Sequence, residues 1–566
     1  MKVDRQLIFL AISSVIVLIM GTLAFMGHDP EQGLLTALYK ALQLFSMNSG
    51  VLEGKPTPLL LEISRWLALG TLVAAVYTAV QALVGQLRTT LRVAFAKDHA
   101  IVCGAGQRGN QLARAFHKSG AARVVVIEID EDNQALGELR NLGICVVVGN
   151  ALDAAVLQTA GVTKARSLVA VTGSDERNLA ICTEVKTSLN DQCELSAGLE
   201  SWAWRTFLLD RMTSKIRLDS YLGRATRALM LELVAKPAAK DPTLRKRGVH
   251  ILIEADDHRR QELIRAAILT LQMSGDRKPV LELTSIRPGE ETAFNDRFPA
   301  ASLVAELRWH FMTASQAFPE GAGPSPDFAV FALESDIATL EAAQRFWMRH
   351  ETPDDRVIAC LDEGGESSYM DMVQRKKRDF STINLLNLGL GSKHPLEPDI
   401  EESARICHAV YFKNERLKNP KYGSRPGDLP EHWADLAERY KDSNRLSAMQ
   451  HEVARSAWIS RGDSPSLELL IHLSRCEHMR WMAEKAMDGW RWSGSDNQTS
   501  RDNDKLKHHL LVAYDALSKS EKDKDFNTFL WALDIGDDDL RALGLDETAR
   551  GLAQLGKDVA KKLRKA

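Results

Sequence analysis

The sequence predicts a small membrane unit of helices joined to a much larger cytosolic body of two α/β units and an all-helical C-terminal module. Three observations predict it. Leu7–Met26 and Trp66–Leu87 are long, uncharged apolar runs. A glycine loop, Gly104-x-Gly106-x-x-Gly109, follows the second run after a short charged connector. From about Glu401 the alternation of strand-like and helix-like segments gives way to helical sequence with scattered aromatics. At 566 residues the chain has room for roughly three or four domains of ~150 residues. Its mean hydropathy is slightly negative, so the membrane part is an appendage. A formal net charge of −3 argues against a general nucleic-acid binder. The seven cysteines all follow the second apolar run, and none is at metal-ligand spacing. Buried, reduced thiols and no metal are expected.

Each apolar run has the ~20 residues that a helix needs to cross ~30 Å of hydrocarbon. The first is too long for the core of a signal peptide, and no small-x-small cleavage site follows it. Lys2 and Arg5 precede the first run, and Arg88, Arg92 and Lys97 follow or end the second. The positive-inside bias therefore puts both ends in the cytoplasm and the loop outside. Within that loop Gly33–Phe45 is apolar but too short to span, and Ser46-Met47-Asn48-Ser49-Gly50 follows it. A short apolar helix, a small polar loop and a return form the pattern of a re-entrant segment. Such a segment survives at membrane depth only where it lines a watery path or is buried in protein. The alternative is an interfacial helix that only anchors the chain.

This arrangement resembles the pore module of two-span potassium channels. The resemblance implies a tetramer with Ser46, Met47, Asn48, Ser49 and Gly50 at the filter. Those channels carry a Thr-Val-Gly-Tyr-Gly-like strand whose carbonyls replace the hydration of potassium. Here the place has one glycine and no aromatic residue, so potassium selectivity does not carry over.

His99–Cys103 is a short apolar strand, the loop opens a helix from about Asn110, and Arg123–Ile127 is a second strand ending at Glu128. In that context the first glycine permits the turn and the second admits a pyrophosphate. The third lets the helix pack on the strand. Glu128 can accept from both hydroxyls of an adenosine ribose and would repel a 2′-phosphate. NAD(H), ATP or ADP is thus favoured over NADP(H). The stretches "IVCGAGQRGNQLARAF", "VVVIEIDED", "VVVGNALDAAVLQTAGV" and "LVAVTGSDERNLAIC" resemble the RCK or Trk-type NAD-binding domain over about His99 to Lys236. The resemblance adds Ala105, Gln107, Arg108, Asn150, Ala151, Thr172 and Gly173 to the expected site, with Asn150 where the family has aspartate. No His, Lys or Tyr set reads as hydride-transfer machinery, so the bound nucleotide is expected to be an effector and the chain not an enzyme.

Lys236–Arg247 is polar and basic with two prolines, and reads as a linker. Beyond it Val249–Glu254, Val280–Thr284, Phe328–Leu333, Val357–Leu361 and Ile383–Leu388 are strand candidates, with a helix over His258–Met273. They form a degenerate second Rossmann-like unit, because Ala255-Asp256-Asp257 stands where a glycine loop would be needed. In the C-terminal part, helices are expected over Ala404–Tyr411, His432–Tyr440, Ser447–Ser460, Leu467–Met487 and Leu506–Ser518. "ICHAVY", "DLAERYKDSNRLSA", "LSRCEHMRWMAEKAMDGWRWSG" and "LVAYDALSKSEKDKDFNTF" resemble the RyR domain, the helical repeat named after ryanodine receptors. Glu477-His478 is not a zinc motif, since the order is wrong and the second histidine is absent. His478 and Trp481 share a helix face, and with Trp490, Arg445, Arg480 and Lys485 they would suit a nucleobase and a phosphate. The competing reading makes the tryptophans core and the charges solvent-facing.

The expected fold is therefore membrane α-helical, two spans plus a re-entrant pore-like segment, with cytosolic tandem Rossmann-like α/β units and a C-terminal all-α RyR-like domain. The boundaries are 1–97, 98–236, 247–395, 401–535 and an amphipathic tail, 536–566. The expected function is a ligand-gated, homo-oligomeric cation channel, potassium-like, in the inner membrane of a prokaryote. Its partners would be membrane lipid, nucleotide and a second, nucleotide-like ligand, with no nucleic acid. A nonselective pore-forming effector triggered by a nucleotide signal in antiviral defence, a non-conducting membrane sensor, and an oxidoreductase are the other classes.

Overall fold

The computed structural model describes all residues except 1–4, 47–56, 95, 121, 191, 210–215, 286, 312–317, 319–323, 363–379, 391–398, 425–427, 460–465, 495–500, 503, 546 and 564–566. The N-terminal unit has three helices, α1 (Arg5–His28), α2 (Leu34–Gln43) and α3 (Leu59–Ala94). Ile8–His28 and Leu59–Val80 are long and apolar enough to cross a membrane. Their large side chains mostly face outward: Phe9, Ile12, Val73 and Tyr77 are all more than half exposed. That is the reverse of a core helix in a water-soluble protein. Small residues bring the helices together. A β-carbon on Gly21 would lie 3.1 Å from the Ala41 Cβ, and Ala24, Ala37 and Ala41 are buried between them. The short α2 ends in a 3-10 turn, Leu44–Ser46, where Ser46 Oγ donates to the Gln43 carbonyl at 2.8 Å. Met47, Asn48, Ser49 and Gly50 lie outside the described residues.

The helix α3 begins before the expected Trp66, with Glu62 and Arg65 paired at 2.7 Å near its start. It then runs unbroken for 36 residues. At ~1.5 Å per residue it is about 54 Å long, well beyond the ~30 Å of a bilayer core. Its end is built into the next unit. Val93 is 3 % exposed and packs with Ile101, Val147, Leu157 and Ala160.

The first α/β unit runs β1 (His99–Cys103), α4 (Gln107–Ser119), β2 (Val124–Glu128), α5 (Ala135–Asn141), β3 (Cys145–Val148), α6 (Ala154–Thr159), β4 (Ala165–Ala170), α7 (Asp175–Glu184), β5 (Glu194–Gly198), α8 (Trp202–Leu209) and β6 (Arg217–Asp219). All pairings are parallel, in the order β3-β2-β1-β4-β5-β6. The strands are buried apolar runs because helices cover both faces. A connecting helix follows: α9 (Tyr221–Leu229), a π-turn over Met230–Ala235, then α10 (Lys236–Lys240) and α11 (Pro242–Arg247). The expected linker is therefore helical. Pro242 sits in the first turn of α11 behind its cap Asp241, where no N–H is missed. Pro237 comes directly after the π-turn, and Ala238, Ala239 and Leu244 are buried in the largest core.

The second unit has β7 (His250–Ala255), α12 (Asp257–Thr270), β8 (Val280–Ser285), α13 (Glu290–Arg297), α14 (Ala301–Val304), β9 (Glu306–Phe311), β10 (Phe328–Ala332), α15 (Asp336–Trp347), β11 (Val357–Leu361) and β12 (Ser381–Asn384). Its order, β12-β11-β10-β7-β8-β9, is that of the first sheet read from the other edge. The strand expected over Ile383–Leu388 stops at Asn384, whose side chain caps a short helix, Leu385–Leu388. The half-buried β9 was not expected from the sequence.

Helices Glu401–Lys418, Glu438–Ile459, Leu467–Met487 and Lys519–Ala532 form the C-terminal module. His432–Tyr440 is not one helix: a 3-10 turn at Trp433–Asp435 precedes the helix that starts at Glu438. Leu506–Ser518 is not helical either, holding a two-residue strand at Lys507–His508 and a 3-10 turn at Tyr514–Ala516. The tail is a packing helix, Glu547–Leu563, with Ala553 and Val559 buried. A β-carbon on Gly556 would lie 2.3 Å from Trp531. All seven cysteines are free, and six of them are buried.

Candidate functional site

Four loops converge at the carboxyl edge of the first sheet: Gly104–Gly109 after β1, Glu128 ending β2, Gly149–Ala151 after β3 and Thr172–Gly173 after β4. The chain switches direction across the sheet between β1 and β4, where ligands of doubly wound sheets bind. Each glycine of the loop has a different reason to be glycine. Gly104 takes φ +102°, and a β-carbon there would press on Val171 O at 3.0 Å. Gly109 would put its β-carbon 1.9 Å from Gly104 O, so only glycine lets α4 sit against the turn. Gly106 is the helix N-cap, and nothing lies within 4 Å of its would-be β-carbon. The open side of the loop therefore faces free space at a helix N-terminus, where backbone N–H groups and the dipole favour an anion.

Glu128 is 8 % exposed. Its carboxylate accepts from Ala105 N at 2.5 Å, Ile129 N at 2.8 Å and Asp130 N at 3.0 Å. It thus braces the loop, and with about four lone pairs it keeps one acceptance for a ligand hydroxyl, not the two expected from the sequence. Asn150 closes its own turn, its side chain accepting from Leu152 N at 3.1 Å, and Ala151 is buried beneath it. Thr172 N and Oγ1 both donate to Asn178 Oδ1 at 2.7 Å, while Gly173 is exposed. Gln107 opens α4, and Arg108 lies 3.3 Å from Glu200. Two supporting residues escaped the sequence reading. Asn133 donates to Ala105 O at 3.3 Å, and Asn178 ties the β4 loop to Gly198 O at 2.8 Å. Both are side-chain amides near turns, a pattern too common to single out.

At the matching edge of the second sheet the space is filled. Asp256 caps α12 through Arg259 N at 3.0 Å. Arg259 donates to Leu333 O at 2.5 Å and to Asp362. Arg260, 2 % exposed, bonds Ala255 O at 2.5 Å, both Glu290 oxygens at 3.0 and 2.7 Å, and Asp257. Arginine–carboxylate pairs stand at the turn that corresponds to the glycine loop of the first sheet.

The six residues expected to form a second pocket are split. Arg445 is buried and bonds Glu401 and Glu438, each at 2.6 Å. Arg480 is buried between Glu477 and Glu484, each reached at 2.8 Å. The other four come together around a histidine absent from the expected set. His478 stacks on Trp481 at 5.8 Å, His508 meets the Trp481 and Trp490 rings edge-on at 5.0 and 5.8 Å, and Lys485 lies over Trp490 at 5.8 Å. His508 escaped notice because it was assigned to a helix.

Comparison with known proteins bears on the first α/β unit. Residues 100–200 match the TrkA-N domain. A protein named potassium channel protein 1 of Methanocaldococcus jannaschii is 31 % identical over 111 residues, 19 % of this chain and 32 % of that one. A Trk system potassium uptake protein trkA homolog 1 of Methanosarcina mazei is 32 % identical over 93 residues, 16 % of this chain and 22 % of that one. An uncharacterized protein of Methanothermus fervidus is 33 % identical over 95 residues, with 17 % and 15 % covered. The chain thus spans about a third or less of the length of these relatives. A solved structure of GsuK bound to ADP is 15 % identical, covering 68 % of this chain and 97 % of that one with a TM-score of 0.35. Likeness at that score adds nothing to the fold described above.

Proposed function

We propose that the chain is one subunit of an oligomeric, nucleotide-gated cation channel in a prokaryotic membrane. NAD or an adenine nucleotide at Gly104–Gly109 and Glu128 is the effector. The observation that carries this reading is the unbroken α3, whose Val93 is part of the core around β1. A ligand that shifts β1 and its loop acts on the membrane helix through packed side chains, with no slack between them. The effect is then set by the ligand's affinity difference between states. The relatives named for potassium transport point the same way. Two spans cannot enclose a path, so several copies are needed, a tetramer by resemblance. The re-entrant reading of α2 and Ser46–Gly50 supplies the pore lining, and the helical module, resembling a RyR domain, serves as a further sensor.

Potassium flux from liposomes holding the full chain, with and without NAD, tests this. NAD is expected to change the flux, and Gly106→Asp to abolish both the change and NAD binding. Absence of flux in all nucleotide conditions overturns the channel in favour of a membrane-anchored sensor. The single glycine of Ser46–Gly50 favours weak selectivity. Equal sodium and potassium flux would support a nonselective effector pore.

A further inference from the structure

A well-formed cavity lies away from the glycine loop, between the connecting helix, the second unit and the helical module. We propose that it is a second ligand site, taking a phosphorylated small molecule of mononucleotide size. This goes beyond the nucleotide effector above and does not depend on it.

The cavity encloses about 470 Å³, within the range of ~300–1,000 Å³ usual for small-molecule sites. Arg227, Leu231 and Lys236 line it from the connecting helix, Leu390 from the second unit, and Arg445 and Met449 from the helical module. The apolar members offer a surface for a flat base, and Arg224, Arg227 and Lys236 offer a place for phosphate against the three lining carboxylates Glu232, Asp399 and Glu452. Arg227 spends two of its five N–H donors, on Gly223 O at 3.2 Å and Asp442 at 2.5 Å. Lys236 is held at the rim by Glu232 at 2.7 Å and Glu452 at 3.8 Å.

Behind this wall lies a smaller cleft lined by six arginines, Arg205, Arg217, Arg224, Arg227, Arg265 and Arg445, but only three carboxylates, Asp219, Glu438 and Asp442. Asp219 serves two of the arginines, Arg217 at 3.6 Å and Arg224 at 3.3 Å. Burial pushes Arg224, which lines both the cavity and the cleft, below the usual arginine range despite Asp219. An anion in the cavity beside Arg224 relieves that cost.

The wall carries one more sign. Leu231 and Glu232 belong to the π-turn Met230–Ala235, and single π-turns inside helices concentrate at functional sites. A ligand here touches the connecting helix, the second unit and the helical module at once. Its phosphate competes with Glu452 of the module for Lys236 of the connecting helix, so occupancy alters a bond between units.

The experiment is the stoichiometry of ADP binding to the full chain in detergent, by calorimetry. Ala228 and Ser403 line the cavity from opposite sides and are only partly buried, so Ala228→Phe and Ser403→Phe fill it with little strain elsewhere. Wild type is expected to bind two ADP per chain, Gly106→Asp one, Ala228→Phe or Ser403→Phe one, and the double variants none. Melting curves identify a variant that fails to fold, and the other filling variant then gives the answer. Inorganic pyrophosphate should displace ADP from the Gly106→Asp protein, and adenosine should not. The proposal is overturned if Gly106→Asp binds no ADP, if a folded filling variant keeps the wild-type count, or if adenosine competes and pyrophosphate does not. Failure of the glycine-loop site looks different. Wild type then binds one ADP, Gly106→Asp leaves it, and Ala228→Phe removes it.

Discussion

The two α/β units can be laid side by side strand for strand, since both sheets are parallel and share one strand order. They part at the turn after their first strand. After β1 the turn is glycine and open; after β7 it is Asp256, Asp257, Arg259 and Arg260, and filled. The fold needs only buried apolar strands and helices of the right length, which both units have. The ligand site needs a few turn residues whose backbone N–H groups face solvent. In the second unit the arginines and carboxylates satisfy one another, so that edge is complete without a ligand. A Rossmann-like topology therefore licenses no ligand until its turn is inspected.

The sharpest way to break the comparison is inside the first turn. Gly109→Val places a β-carbon against a backbone oxygen that has nowhere to go, and should cost more than about 3 kcal/mol. Thermal denaturation followed by circular dichroism should show loss of the first unit and of NAD binding together. Gly106→Asp, three residues away, meets open space and should lose NAD binding with melting nearly unchanged. Equal destabilisation by both would remove the distinction between a packing glycine and a binding glycine.

The next effect belongs to the second unit. Arg260→Met strips Glu290 of its arginine, while Asp257 keeps Arg287 at 2.6 Å, and should cost about 3 kcal/mol, the lower end for removal of one member of a buried pair. Urea denaturation checks the cost, and NAD affinity should not move. A loss of NAD affinity would mean that the two edges communicate.

How much of this was legible in the sequence follows the same division. The first unit could be read almost strand by strand, because Gly104–Gly109 fixes where β1 ends and α4 begins. Val357–Leu361 was legible for its uninterrupted apolar run. Lys236–Arg247 misled because its charges mask Ala238, Ala239 and Leu244, which the helical period points inward. At Leu506–Ser518 the apolar spacing mimics a helix, yet Leu506 takes φ +50°, a conformation no helix continues through. For the second pocket, residue type gave the right chemistry in the wrong place. Arg445 finds Glu401 on a facing helix, a tertiary pairing that leaves no mark in one sequence, whereas Arg480 pairs with Glu477 and Glu484 one turn to either side on its own helix, a spacing the sequence does carry.

The smallest effect separates the two sheets by acid. Glu282 on β8 accepts from His250 Nε2 at 2.8 Å, His310 Nε2 at 2.6 Å and Arg308 at 3.0 Å, across three neighbouring strands. The first sheet has apolar residues along β1, β2 and β3 instead. Burial pushes the Glu282 carboxyl up, but the hydrogen bonds from His250, His310 and Arg308 outweigh burial and hold it at about 2. The folded value lies below the unfolded one, so the unfolded chain binds the extra proton in between. Glu282 therefore contributes its full stability above about pH 4.5, and that contribution drains away as pH falls towards 2. The loss is on the order of 2–3 kcal/mol. Urea denaturation at pH 6, 4 and 3 should show the second unit weakening on acidification more than the first. Glu282→Gln should be less stable than wild type at pH 6, with the gap narrowing by pH 3. A gap that stays constant with pH would show that the carboxylate is held by shape alone, and that the two sheets do not differ in their response to acid.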